Sequence, residues 1–147
     1  MESILSPQRR SQIAAVLAER GGCVPLARRY AAECRGRFGV AEAELARNRE
    51  GYAQDPLTEA ALRFAHAALI AHGRLQPRDV RALRRCGADD ADVAALVALA
   101  AHVAGEIIAA NAGYGDGAAA GRSSARATSP PTTNSTSPAA EFASLDV

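Results

Sequence analysis

Tryptophan is absent from this chain, and aromatic residues make up only 4% of it. A core without large rings has to be filled by Ala, Leu, Val and Ile, a set suited to closely packed helices. Neither sign of charge dominates, with 17 Lys plus Arg against 16 Asp plus Glu and a net charge of +1. No global field therefore draws the chain to nucleic acid or to an anionic membrane. Cysteine is scarce as well. Cys23, Cys34 and Cys86 are an odd number at irregular spacings, which argues against a disulfide framework and for reduced thiols. The first ten residues hold no basic segment followed by an apolar run, so no secretory signal is read and the cytoplasm is the expected compartment. The 147 residues are enough for one domain with a real core.

Caps, breakers and spacing predict six helices and an all-α fold. Ser6 can cap, and Pro7 can fill the first turn of, a helix carrying Ile13, Val16, Leu17 and Arg20 until Gly21 and Gly22 stop it, a short amphipathic element. A second helix starts at Cys23 or Val24 and tolerates Pro25 in its first turn. It runs to about Phe38, with Gly39 as its left-handed cap and Leu26, Tyr30 and Cys34 on one face. Residues 42–50 give a third helix anchored by Leu45 and closed by Gly51. Asp55 and Pro56 open a fourth over residues 56–72, with a stripe of Leu57, Ala61, Phe64, Ala65, Ala68 and Leu69. A fifth covers residues 77–86 with Val80 and Leu83 inward. Asp89, Asp90 and Asp92 then stand at the start of a sixth, where the helix dipole favours acids.

The sixth helix, to about Asn111, is the most apolar segment. Val93, Leu96, Val97, Leu99, Ala100, Val103, Ile107 and Ile108 cover more than one narrow stripe, which makes a subunit interface the economical way to bury them. Its length could span a bilayer, but His102 and Glu106 lie in its middle and an ionised Glu there is costly, so no membrane span is expected. From residue 113 onward Gly, Ala, Ser, Thr and Pro dominate, a composition that cannot bury enough surface to fold. Residues 1–112 are therefore read as a helical domain and residues 113–147 as a disordered tail. The tail ends in Glu141, Phe142, Ala143, Ser144, Leu145, Asp146 and Val147, two isolated apolar side chains at the end of a long linker. That layout suits a docking peptide and resembles in outline the cargo-loading tails of proteins packed into encapsulin shells. A meaningless extension is the plainer alternative. Asn134-Ser135-Thr136 is a chance match to a glycosylation sequon.

The order of segments resembles the alkylhydroperoxidase D and carboxymuconolactone decarboxylase superfamily over about residues 6–112. Gly21-Gly22-Cys23 leads into a helix closed by Phe38-Gly39-Val40, then come Ala41-Glu42-Ala43-Glu44-Leu45 and Asp55-Pro56-Leu57-Thr58-Glu59. The second half continues it with Gly73-Arg74-Leu75-Gln76-Pro77, Cys86-Gly87-Ala88-Asp89-Asp90 and a long apolar helix with Asn111 near its end. The resemblance implies a helical bundle that forms homo-oligomers (dimer, trimer or hexamer), antioxidant peroxide chemistry and a thiol reductant as partner; no cofactor and no metal are expected.

Peroxidase members of that family carry C-x-x-C-x-x-x-H, with a glutamate one helix earlier. Laid on this chain, the run puts Cys23 at the first cysteine, Leu26 at the second and Tyr30 at the histidine, and the glutamate position falls on Ser11. Thiol peroxidation needs a thiolate to attack the O–O bond, a proton source for the leaving oxygen and a second thiol to resolve the sulfenic acid. The family's attacking thiol is the second cysteine, so the retained Cys23 matches the resolving partner. Tyr30 can donate a proton but is a poor base. Cys23 and Tyr30 remain the candidate catalytic residues, since a helix N-terminus with Arg20, Arg28 and Arg29 nearby favours a thiolate. Simple packing is the alternative. Cys34, eleven residues further along one helix, is too far to pair with Cys23, whereas the sequence leaves Cys86 open as its partner. A lyase similar to carboxymuconolactone decarboxylase is a third reading. A non-catalytic interaction or small-molecule-binding protein is the second.

Other residues point to less. His66, His72 and His102 form no close pair for a metal, and Glu106 with His102 at i, i+4 is the one suggestive couple, read as a hydrogen-bonded pair. Arg78, Arg81 and Arg85 share a helix face, but the following helix opens on acids and turns apolar, which is unsuited to phosphate contact.

Overall fold

A computed structural model describes residues 4–113. These fold into six helices with no strand: α1 (Pro7–Arg20), α2 (Val24–Phe38), α3 (Glu42–Arg49), α4 (Pro56–Ile70), α5 (Pro77–Arg85) and α6 (Asp90–Asn111). The all-α expectation and its six helices are met. The expected disordered tail and docking peptide lie outside the described residues, apart from Gly113.

The caps foreseen in the sequence are made. Ser6 Oγ accepts from the Arg9 amide at 3.2 Å, and Asp55 Oδ2 accepts from the Thr58 amide at 3.0 Å. At α6 the acids expected to suit the helix dipole also form a reciprocal capping box, with Asp89 Oδ1 accepting from the Asp92 amide at 2.8 Å and Asp92 Oδ2 from the Asp89 amide at 3.1 Å. Asp92 also accepts from the Ile4 amide at 3.2 Å, which ties the start of the described chain to α6. The helix expected over residues 56–72 stops at Ile70 instead, because His72 turns left-handed (φ 50°), a conformation costly for a side chain with a Cβ.

One expectation is overturned. The first helix is not a short amphipathic element but the centre of the bundle, with all eight residues from Ser11 to Ala18 buried. It touches α2, α3, α4 and α6, so no face of its middle two turns is left for water. Alanine makes this possible, since Ala14, Ala15 and Ala18 let neighbouring helices approach closely while Ile13, Val16 and Leu17 fill the space between them. Around it the core gathers Leu62 and Phe64 from α4, Leu83 from α5 and Leu96, Leu99 and Val103 from α6. A smaller cluster of Ala31, Cys34, Val40 and Leu45 joins α2 to α3.

Gly21 has a role beyond stopping α1. A Cβ built there would stand 2.4 Å from Ile107 Cδ1 and 3.1 Å from the Leu17 carbonyl oxygen, so a side chain after α1 would force the end of Ile107 to move.

The α6 helix is long and apolar enough by length and composition to cross a membrane, with a mean hydropathy of 2.0 over an 18-residue window. Here it packs on α1, α2 and α4. Leu96, Leu99, Ala100, Val103 and Ile107 are buried, and Ile108 is 69% exposed.

Candidate functional site

Cys23 stands where α1 hands over to α2. Its amide donates to the Ala18 carbonyl at 2.9 Å, and its carbonyl accepts from the Ala27 amide at 3.0 Å. The side chain makes no capping bond. Only 3% exposed, the thiol belongs to the main core together with Leu26, which the sequence resemblance lays on a second cysteine. Pro25 fits because the first turn of α2 has amides to spare.

One turn beyond Leu26, Tyr30 reaches the seam between α2 and α6, where an unforeseen cluster forms. The Tyr30 hydroxyl donates to Glu106 Oε2. Arg29 donates to Glu106 Oε1 at 2.7 Å, and its guanidinium lies 4.9 Å from the centre of the Tyr30 ring. His102, one turn before Glu106 on α6, places Nε2 3.7 Å from Glu106 Oε2. The couple of His102 and Glu106 was legible from i, i+4 spacing. Its partners on α2 were not, because 76 residues separate Tyr30 from Glu106.

The electrostatics of this cluster restrict its chemistry. Burial works against ionisation of Glu106, but hydrogen bonds from Tyr30 and Arg29 outweigh it and hold the carboxyl below its ordinary range. Burial, and then the hydrogen bond to Glu106, push the Tyr30 phenol up. At neutral pH the pair is therefore a phenol donating to a carboxylate. Glu106 is a weak base here and Tyr30 a weak acid, so the geometry serves recognition and helix docking better than proton abstraction.

Ser11, which the sequence resemblance lays on a glutamate, is buried on α1. Beside it Gln12 Nε2 donates to Asn48 Oδ1 at 3.1 Å, and Asn48 Nδ2 donates in turn to the Tyr52 carbonyl at 3.1 Å. A second network ties the helix starts together. Arg9 donates through Nε to Thr58 Oγ1 at 2.8 Å and through a terminal nitrogen to Asp55 Oδ2 at 3.1 Å. Sequence reading found the Asp55 cap but missed Arg9, Gln12 and Asn48. Only an isolated polar residue inside an apolar helix could have flagged Gln12.

The three thiols stand apart. All are free. Cys34 is fully buried between α2 and α3, where burial pushes its thiol up to about 11. Cys86 does not meet Cys23. It ends α5 and faces the start of α4, its Sγ 3.9 Å from the Pro56 carbonyl, and it is half-buried. Among the described residues no group of three or more His, Cys, Asp or Glu side chains is placed to hold a metal. His66 lies 3.4 Å from an Arg20 nitrogen, and burial, then that arginine, lower its pKa.

Comparison with known proteins finds no matching family model and no matching curated protein.

Proposed function

We propose that this chain is a divergent alkylhydroperoxidase-like protein that has given up dithiol peroxidase turnover and keeps the helical scaffold. The observation that carries this reading is the state of Cys23, buried in an apolar core beside Leu26 with no second thiol against it. Peroxide must reach a thiolate, and a resolving thiol must reach the sulfenic acid. Neither condition is supported at Cys23. Tyr30, at the family's histidine position, is engaged by Glu106 and stays protonated at neutral pH.

The experiment is peroxide consumption by the full chain with a dithiol reductant, beside a Cys23→Ser variant. Equal, background rates are expected for the two proteins. A rate well above background that disappears in the variant refutes the reading.

A second reading, small-molecule binding on the same scaffold, is favoured by a cleft of about 250 Å³ between α1, α2 and α3. Ala15, Ala27, Ala31 and Leu45 contribute apolar lining, and Arg28, Arg35 and Arg49 contribute charge. Glu42 engages two of these arginines, Arg35 at 2.7 Å and Arg49 at 3.2 Å. The family resemblance also implies homo-oligomers. In this reading the contact falls on the open side of α6, around the exposed Ile108, and the cytoplasm is the compartment.

A further inference from the structure

The groove between α4 and α5 has no part in the reading above. It encloses about 610 Å³, the size of an ordinary small-molecule pocket. Pro56, Ala60 and Phe64 of α4 line it, with Arg78, Arg85 and Cys86 on the other side.

Three features of this groove converge. Cys86 is the one thiol of the three that is not buried, and the hydrogen bond its Sγ makes, to the Pro56 carbonyl at 3.9 Å, is long and weak. Arg78 and Arg85 stand two turns apart on α5, about 10 Å along its axis. Neither makes a hydrogen bond or ion pair with a described residue, whereas Arg63 of the same groove is held by Glu59 at 2.8 Å. Two carboxylates also line the groove, Glu59, which is paired with Arg63, and Asp79, which accepts from the Gln76 amide at 3.0 Å. Two uncommitted guanidiniums flanking a groove are matched to carboxylates, which they bind in a planar, two-pronged fashion. The thiol stands directly after Arg85.

We propose that this groove is a covalent modification site, where Cys86 forms a mixed disulfide with a small carboxylate-bearing disulfide held by Arg78 and Arg85. In the step the Cys86 thiolate attacks one sulfur of the incoming disulfide. A new S–S bond forms at Sγ, the old one breaks, and the departing half leaves as a thiolate that takes up the proton Cys86 has lost. Cys86 is oxidised and the departing half reduced, so the incoming disulfide is the oxidant. The adduct fills the groove and covers its two arginines. None of this rests on Cys23 or on the family resemblance.

The test compares two disulfides on the full-length protein at neutral pH, glutathione disulfide with its carboxylates and cystamine with its ammonium groups. Peptide mapping by mass spectrometry follows each cysteine. Cys86 is expected to be modified about five- to tenfold faster by glutathione disulfide, about the factor that two exposed charge pairs can supply together. In an Arg78→Gln/Arg85→Gln variant the ratio should fall towards one, while Arg81→Gln, on the same helix but outside the groove lining, leaves it unchanged. Equal rates for the two disulfides in the unaltered protein overturn the proposal whether or not the variant folds. A ratio that survives the double substitution, or an adduct on Cys23 or Cys34 in place of Cys86, overturns it as well.

Discussion

Tyr30 shows how much the type of one side chain decides. A histidine there could shuttle protons near neutral pH, whereas the phenol is fixed as a donor to Glu106. Because the folded Tyr30 holds its proton more tightly than the unfolded chain does, its contribution to stability is complete below about pH 10 and is lost as pH rises through the raised folded value. Glu106 works in the opposite sense. Its contribution is present above about pH 4.3 and is lost as pH falls through the lowered folded value. Tyr30→Phe should cost about 0.5–1.5 kcal/mol near neutrality, the worth of one net hydrogen bond. It should also flatten the alkaline loss of stability, as read by melting temperature between pH 8 and pH 12. An unchanged alkaline limb would remove Tyr30 from the α2–α6 seam. The helices that carry Leu26, Tyr30 and Ser11 were legible from caps and spacing. The partner of Tyr30 was not, since sequence spacing reports neighbours on one helix and is silent about a contact between two.

At the scale of elements the helix boundaries were readable because the chain spells out its caps, Ser6-Pro7, Asp55-Pro56 and the acids before α6. The place of α1 was not readable. A helix rich in alanine has a weak apolar stripe, so its burial on every side depends on which partners surround it rather than on its own pattern. The packing of Gly21 gives a sharp check. Gly21→Ala should destabilise the fold by about 1–3 kcal/mol through overpacking against Ile107. Ile107→Val deletes the δ carbon in conflict, so the double variant should recover part of that loss. A denaturation cycle over the four proteins measures the coupling, and strict additivity would mean that the two positions do not meet. At the end of α4, His72→Gly should relieve the left-handed strain and leave stability unchanged or up to about 1 kcal/mol higher.

For the molecule as a whole, the 15.2 kDa chain combines a well-filled core with an α6 that keeps Ile108 open to solvent. If copies assemble through that helix, sedimentation should give a multiple of the chain mass, and Ile108→Lys should return it to a monomer. A monomer before substitution would contradict the assembly. The α4–α5 groove and the buried Cys23 together divide the thiols into one approachable group and two core residues. Denaturation should therefore be needed before Cys23 and Cys34 react with a thiol reagent at the rate of Cys86. The proposed absence of dithiol turnover is tested most directly by exposing the folded protein to peroxide with a sulfenic-acid trap and mapping the three cysteines by mass spectrometry. The account predicts that Cys23 remains a thiol for as long as the fold persists. A trapped sulfenic acid or a disulfide at Cys23, formed in the folded protein and reversed by a dithiol, would contradict it.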